Sequence, residues 1–315
     1  MVPDFVDRVL KNMESVMVVK REILELALVA VLCERHILIE DVPGIGKTTL
    51  AKTLAQSLGC TFHRIQCTPD LLPSDITGIH FFNQKTCEFE FRPGPVIANI
   101  VLVDEINRAT PRTQSSLLEC MEERQITVDG VTMPLPQPFM VIATQNPVEL
   151  QGTFPLPEAQ LDRFLLRLVI GYPGLDNEDV MLLRFERTNP LDQLPAVTSA
   201  AEIMEMTRRV QEVYVEPSVR RYILELVDKT RHHPSITLGG SPRASLSLYR
   251  AAQALALIQG RDFVLPDDVK RLAVPVLGHR LILSTEAYLH NTRKEEIIAD
   301  ILSNLTVPAE EQSTG

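Results

Sequence analysis

The sequence predicts an α/β fold, a doubly wound parallel-sheet core followed by a small all-helical domain, and three observations carry that prediction. Short apolar runs at 37–39, 100–103, 139–143 and 165–170 alternate with stretches of helical periodicity, as strands buried on both faces of a parallel sheet require. Polar residues gather where these runs end, at Asp104-Glu105 and Thr144-Gln145-Asn146, and the carboxyl ends of such strands form the ligand crevice of an open sheet. Beyond residue 198 every periodic segment reads as helix.

In chain order, a helix is expected over 4–15, with Asp4 as N-cap and Phe5, Val6, Val9 and Leu10 on one face. A second, over 20–33, carries Ile23, Leu24, Ala27, Leu28 and Val31 at helical spacing. The strand Ile37-Leu38-Ile39 breaks into a Pro/Gly turn, then Lys47, Thr48 and Thr49, then a helix through Leu50, Leu54 and Leu58 that Gly59 closes. After a strand-like 60–66, residues 74–78 lead into alternating segments 79–82 and 87–91 joined by a polar turn, a β-hairpin. Pro93 and Pro95 are expected to stop its pairing, because proline has no N–H for the ladder. The 100–103 strand is followed by a helix through Leu117, Leu118 and Met121, and by a second hairpin spanning 126–133. Its Asp129-Gly130 turn is a type I′ signal.

The expected core is 1–190, with a linker near 188–198 and a helical domain at 198–305. In the latter, Ser199 and Glu202 form a capping box, Pro217 suits the first helical position, and Ser241-Pro242 opens a helix through Leu246, Tyr249, Leu255 and Ala256. Segments at 267–278 and 285–304 complete it, and a tail over 306–315 is expected to be disordered, since from Pro308 on it lacks large apolar residues.

Composition narrows the function. At 315 residues, with 45% hydrophobic and 23% charged residues, two domains of an ordinary soluble protein are expected. The longest apolar run, 26–33, is well short of the ~18 residues a membrane span needs, and no secretory leader pattern opens the sequence, so a cytoplasmic location is expected. A net charge of −10 and a pI near 5.3 argue against nucleic acid as a partner. The five cysteines never form a C-x-x-C pair, so free thiols are expected rather than bridges or zinc ligands.

The chemistry centres on Asp41-Val42-Pro43-Gly44-Ile45-Gly46-Lys47-Thr48-Thr49. Glycines let backbone N–H groups curl around phosphate oxygens, and the following helix N-terminus favours negative charge there. Lys47 is placed to reach the β- and γ-phosphates and Thr48 to hold Mg²⁺. Asp41 stands where the motif has its first glycine, and Gly-Lys-Thr also arises in ordinary β-α turns, so other residues must decide. Phosphoanhydride hydrolysis needs one carboxylate to hold Mg²⁺ through water and a second to polarise the attacking water, and Asp104 and Glu105 sit at a strand end where these are required. Asn146, at the next strand tip, suits a residue that orients the water. Arg163 reads either as the arginine that meets transition-state charge or as a surface ion pair. Arg243 lies in the first turn of a helix, where a cation gains nothing from the helix dipole, which favours a role toward a bound anion.

These residues together resemble the MoxR family of AAA+ ATPases over about residues 1–300. The likeness rests on DVPGIGKT, FEFRPGPV, LVDEINRATPRTQSSLLECMEERQITVDG, ATQNPVELQGTFPLPEAQLDRFLLRL and SPRAS. The resemblance implies ATP and Mg²⁺ as ligands, a Walker A motif at 41–48, a Walker B motif at 101–105, sensor 1 at Asn146, an arginine finger at Arg163 and sensor 2 at Arg243. It makes D-V-P-G a mark of subtype, and the hairpins at 79–91 and 126–133 the family's two inserts. Val19-Lys20 departs from the Val-Gly-Gln that the family shows beside the adenine. A homo-oligomeric ring, a hexamer, is implied, with chaperone-like remodelling or maturation of protein complexes, metal insertion and a von Willebrand factor A domain partner. Whether Arg243 serves its own or a neighbour's nucleotide stays open. Two other readings are a nucleotide-gated scaffold with little turnover, against which Asp104, Glu105 and Asn146 count, and a DNA translocase, for which hairpin tips with the single basic residue Lys85 are poor equipment.

Overall fold

The computed structural model describes residues 2–147 and 152–308. Most of the expected tail, from 309, lies outside the described residues, as do 148–151 of the motif that follows Asn146.

Two helices, α1 (Val2–Glu14) and α2 (Arg21–Leu32), precede β1 (His36–Glu40), α3 (Lys47–Ser57) and β2 (Phe62–Gln66). A short α4 (Pro73–Thr77) opens the hairpin of β3 (Gly78–Asn83) and β4 (Glu88–Pro93). There follow β5 (Ile100–Asp104), α5 (Pro111–Glu123), the hairpin of β6 (Gln125–Val128) and β7 (Val131–Pro134), β8 (Met140–Gln145), α6 (Glu158–Leu161), β9 (Phe164–Leu168) and α7 (Leu175–Phe185). The remainder is α8 (Ala200–Glu212), α9 (Pro217–His232), β10 (Ile236–Leu238), α10 (Pro242–Ile258), α11 (Pro266–Leu277), β11 (Ile282–Leu283), α12 (Thr285–Leu289) and α13 (Lys294–Ser303). No helix among the described residues is long and apolar enough to cross a membrane.

Five parallel strands form the central sheet in the order β2-β5-β8-β1-β9. Its period-two pattern sends alternate side chains to two apolar clusters. Ile37, Ile39, Ile100, Leu102, Met140 and Ile142 join one cluster, while Leu38, Val101, Val103, Val141 and Ala143 join the other. Each of the Val, Leu, Ile and Met side chains among them is worth about 1.5–3 kcal/mol when fully buried, which explains why continuous β-branched runs mark strands covered on both faces. The first cluster does not stop at the sheet. It continues through α1, α2 and α3 into α8, α9, α10, α11 and α13, so the C-terminal helices share an apolar core with the helices that precede the phosphate loop.

Several local expectations meet their geometry. Asp129 and Gly130 have φ of 51° and 81°, the left-handed pair a type I′ turn demands. Pro217 and Pro242 each stand in the first turn of their helices. Others differ. The C-terminal unit is not purely helical, because β10 and β11 pair as an antiparallel ribbon. Pairing in the first hairpin runs on to Pro93, opposite Gly78; a proline in the last position of a ladder interrupts no interior pairing. The capping box at the start of α8 is half formed. The Ser199 hydroxyl accepts from the Glu202 amide, but the Glu202 carboxylate accepts from Arg8 and Thr198 instead, tying α8 to α1.

Candidate active site

The phosphate loop leaves β1 in mid-sheet and enters α3. Gly44 and Gly46 adopt φ of 85° and 89°, conformations in which a side chain is strained. Asp41, where the motif has glycine, needs no such freedom. Its carboxylate is buried, 8% exposed, and accepts from the amides of Val42 (2.8 Å) and Gly171 (2.7 Å). The departure from the motif is thus a staple, fastening the first residue of the loop to the turn that follows β9. Lys47 donates to the Asp41 carbonyl. Partial burial lowers the lysine's pKa, while Asp41, Asp104 and Glu105 pull it upward.

Parallel register brings the other strand tips alongside. Gln66 pairs with Asp104 between β2 and β5, and Glu40 with Gln145 between β1 and β8. The Thr144 hydroxyl donates to Asp104 (2.6 Å) and accepts from the Glu105 amide (2.9 Å), fixing both acids from the neighbouring strand. Arg64 pairs with the second oxygen of Asp104 at 2.7 Å. One oxygen of Glu105 accepts from Gln66 (3.1 Å) and Arg108 (3.0 Å), and Glu105 itself is held at φ 56°. A non-glycine residue in that region is a strained conformation maintained by its surroundings. Asn146 follows β8 directly and is buried. The sequence assigns no role to Thr144, Arg64, Gln66 or Arg108. Single polar residues at strand ends carry no spacing signal, and register alone makes them neighbours of the acids.

A cleft of about 460 Å³ opens beside the loop. Gly44, Ile45, Gly46 and Thr49 form one wall, Val16–Lys20 another, and Ile170–Gly174 with Met181 and Phe185 of α7 the third. Its apolar lining, with a few polar groups, suits a flat heterocycle attached to phosphates. Val19 and Lys20, the residues departing from the family's usual sequence, line this cleft.

Arg163 and Arg243 are not in this cleft. They lie together in a second one of about 360 Å³, with Arg35 and Arg250. Arg163 donates to the Leu118 carbonyl (2.6 Å), and Arg243 donates to Glu122 (3.1 Å). Of the predicted residues, then, Asp41–Thr49, Asp104, Glu105 and Asn146 converge on the loop, and the two arginines form a separate group. The turn at Asp162 anchors that group. Buried Arg280 donates to the Asp162 carboxylate (2.7 Å) and to carbonyls of β9, and Ser241 donates to the other Asp162 oxygen (2.8 Å). One acid thus connects the residue before Arg163 to the cap of the helix that carries Arg243.

The model of the ATPase family associated with various cellular activities (AAA) matches residues 36–166, and the AAA lid domain matches 228–301. Bacillus subtilis YeaC is 52% identical over 304 residues, covering 96% of this chain and 95% of that protein. Chaperone MoxR1 of Mycobacterium tuberculosis is 39% identical over 311 residues, covering 96% and 82%. A solved structure from Cytophaga hutchinsonii, described as a "putative ATPase", superposes with a TM-score of 0.92 at 38% identity, covering 98% of this chain and 96% of that one. With a parallel sheet, a phosphate loop at its centre and a lid after it, the chain belongs to the MoxR family of AAA+ ATPases.

Proposed function

We propose that this chain hydrolyses ATP within a homo-oligomeric ring, a hexamer, and uses the cycle to remodel or mature protein complexes. One observation supports the reading above the others: the acids and the lysine gather at the loop, while Arg163 and Arg243 occupy a different cleft of the same subunit. A site so divided has neither Arg163 nor Arg243 of its own subunit beside the loop, and a second copy would bring them to it.

The residues take the following roles. Backbone amides of the Gly44–Gly46 turn and Lys47 bind the phosphates, and the apolar cleft takes the base. The Thr48 hydroxyl and the Asp104 carboxylate are oxygen donors that fit Mg²⁺, Asp104 through water; when bound, the metal neutralises phosphate charge. Glu105 polarises the attacking water and Asn146 orients it. Arg163 serves as the finger and Arg243 as sensor 2, both toward a neighbour's nucleotide. Phe82 and Phe89 meet edge to face with centroids 5.4 Å apart on the first hairpin, and Phe89 is 74% exposed, an apolar handle for a client polypeptide. A von Willebrand factor A domain partner, metal insertion and a cytoplasmic location belong to this reading through the family likeness.

The test is hydrolysis and nucleotide binding measured side by side. Lys47→Ala is expected to lose both, and Glu105→Gln to lose turnover while still binding ATP. Arg163→Ala is expected to bind ATP yet lose about 10³-fold or more in turnover, the scale of an arginine finger. Wild-type turnover in Arg163→Ala would remove Arg163 from the mechanism.

A further inference from the structure

The cleft that holds the two arginines lies apart from the phosphate loop and is lined largely by charged side chains. Arg35, Arg163, Arg243 and Arg250 all line it, and facing them are Glu122 and Asp162. Asp162 is already engaged by Arg280 and Ser241. Glu122, near the end of α5, is the acid left to the arginines. One of its oxygens lies 3.1 Å from Nη2 of Arg243, and the other 3.9 Å from Nε of Arg163. The second contact is electrostatic only, and Nε of Arg163 is buried with no hydrogen-bond partner. A buried donor without an acceptor is costly, and the acid across from this one is Glu122, 3.9 Å away. Glu122 is the acid with which Arg243 pairs among the described residues, and the Arg243 side chain is 54% exposed.

We infer that Glu122 is an internal counter-ion for these arginines: it occupies, in the separate subunit, the anion position that a phosphate of a neighbouring copy's nucleotide takes on assembly. The inference rests on the ring reading given above. The physical basis is competition. Four guanidinium groups around one cleft repel each other and attract any polyanion; a carboxylate on the same subunit lowers both tendencies. When a nucleotide phosphate arrives, the carboxylate beside it is a like charge, and its ion pairs with Arg163 and Arg243 must be exchanged for new ones. Glu122 therefore weakens the association of copies that carry no nucleotide and sets a threshold for those that do. Both partners are partly exposed, so the ion pair is worth little: about 0.2–1 kcal/mol for an exposed pair corresponds to roughly a 1.5- to 5-fold change in an equilibrium constant.

The experiment measures the protein concentration at which ATP drives half-maximal assembly, by sedimentation, in the Glu105→Gln background so that nucleotide persists. Adding Glu122→Gln, which keeps the size of the side chain and removes its charge, is expected to lower that midpoint about two- to fivefold. In a background that also carries Arg243→Ala the same change is expected to shift the midpoint by less, because one of the two pairs is already gone. A midpoint that is unchanged or raised by Glu122→Gln, or an equal shift with and without Arg243, overturns the proposal. If ATP drives no assembly of the Glu105→Gln chain at all, the ring reading falls and the proposal with it. ATP-driven assembly that is indifferent to Glu122 sinks the proposal alone.

Discussion

Replacing Asp41 with glycine restores the phosphate-loop motif on paper and is expected to damage the protein. The buried carboxylate accepts two amide hydrogen bonds, from Val42 and from Gly171. Hydrogen bonds to charged groups contribute about 1.5–3 kcal/mol each. The Val42 amide is in a partly exposed loop and water can replace part of its bond, so the combined loss should be about 2–4 kcal/mol rather than the full sum. Glycine adds a further cost through the entropy of the unfolded chain. For a domain of this size such a loss lowers the melting temperature by roughly 5–12 °C. Thermal unfolding followed by circular dichroism, alongside titration with a fluorescent ATP analogue, reads both consequences: lower stability, and weaker nucleotide binding because the loop is no longer fastened to the turn after β9. Asp41→Asn, which keeps one acceptor, should fall between. A glycine variant melting within about 1 °C of the parent, with unchanged nucleotide affinity, would refute the staple.

Two further outcomes are expected. Asp162→Ala leaves the guanidinium of Arg280, 5% exposed, without its carboxylate; an uncompensated buried charge costs about 3–5 kcal/mol, readable by denaturant titration, and a loss under ~1 kcal/mol would show that the carbonyls alone satisfy it. Stability should also fall on acidification through His36. Its Nδ1 accepts from the Val141 amide, so Nε2 donates to the Met121 carbonyl and the ring is neutral. Burial lowers its pKa from 6.5 to about 4. The unfolded chain takes up a proton as pH falls below 6.5 while the folded chain does so only near 4, so up to about 3 kcal/mol is lost across that window. Unfolding free energies at pH 7 and pH 5 that do not differ between the parent and His36→Gln in this sense would contradict the assignment.

Much of the fold was legible because its signals are local. The runs at 37–39 and 100–103 name buried strands by composition alone, Gly-Lys-Thr names the loop by spacing, and Asp129-Gly130 names its turn by backbone preference. The features missed have weak local signals. The ribbon of β10 and β11 is three residues against two, too short for any periodicity, and α4 spans a single turn. Thr144 is one polar residue at a strand end, and it matters only because β8 runs beside β5.

The sequence by itself singled out the residues proposed to handle a nucleoside triphosphate, and determined that helices follow the sheet. The tertiary structure decided how those residues are divided and what holds them. Asp41 meets Gly171 across 130 positions and Arg243 meets Glu122 across 121, separations at which no spacing rule operates. It also decided that the helices at the two ends of the chain share one apolar cluster. The reason is physical: a pattern of three or four residues fixes a local backbone conformation, but the partner of a side chain is fixed by which strands lie side by side. Lys47 could be read from its neighbours in the chain, whereas the separation of Arg163 from that lysine could only be seen once the chain was folded.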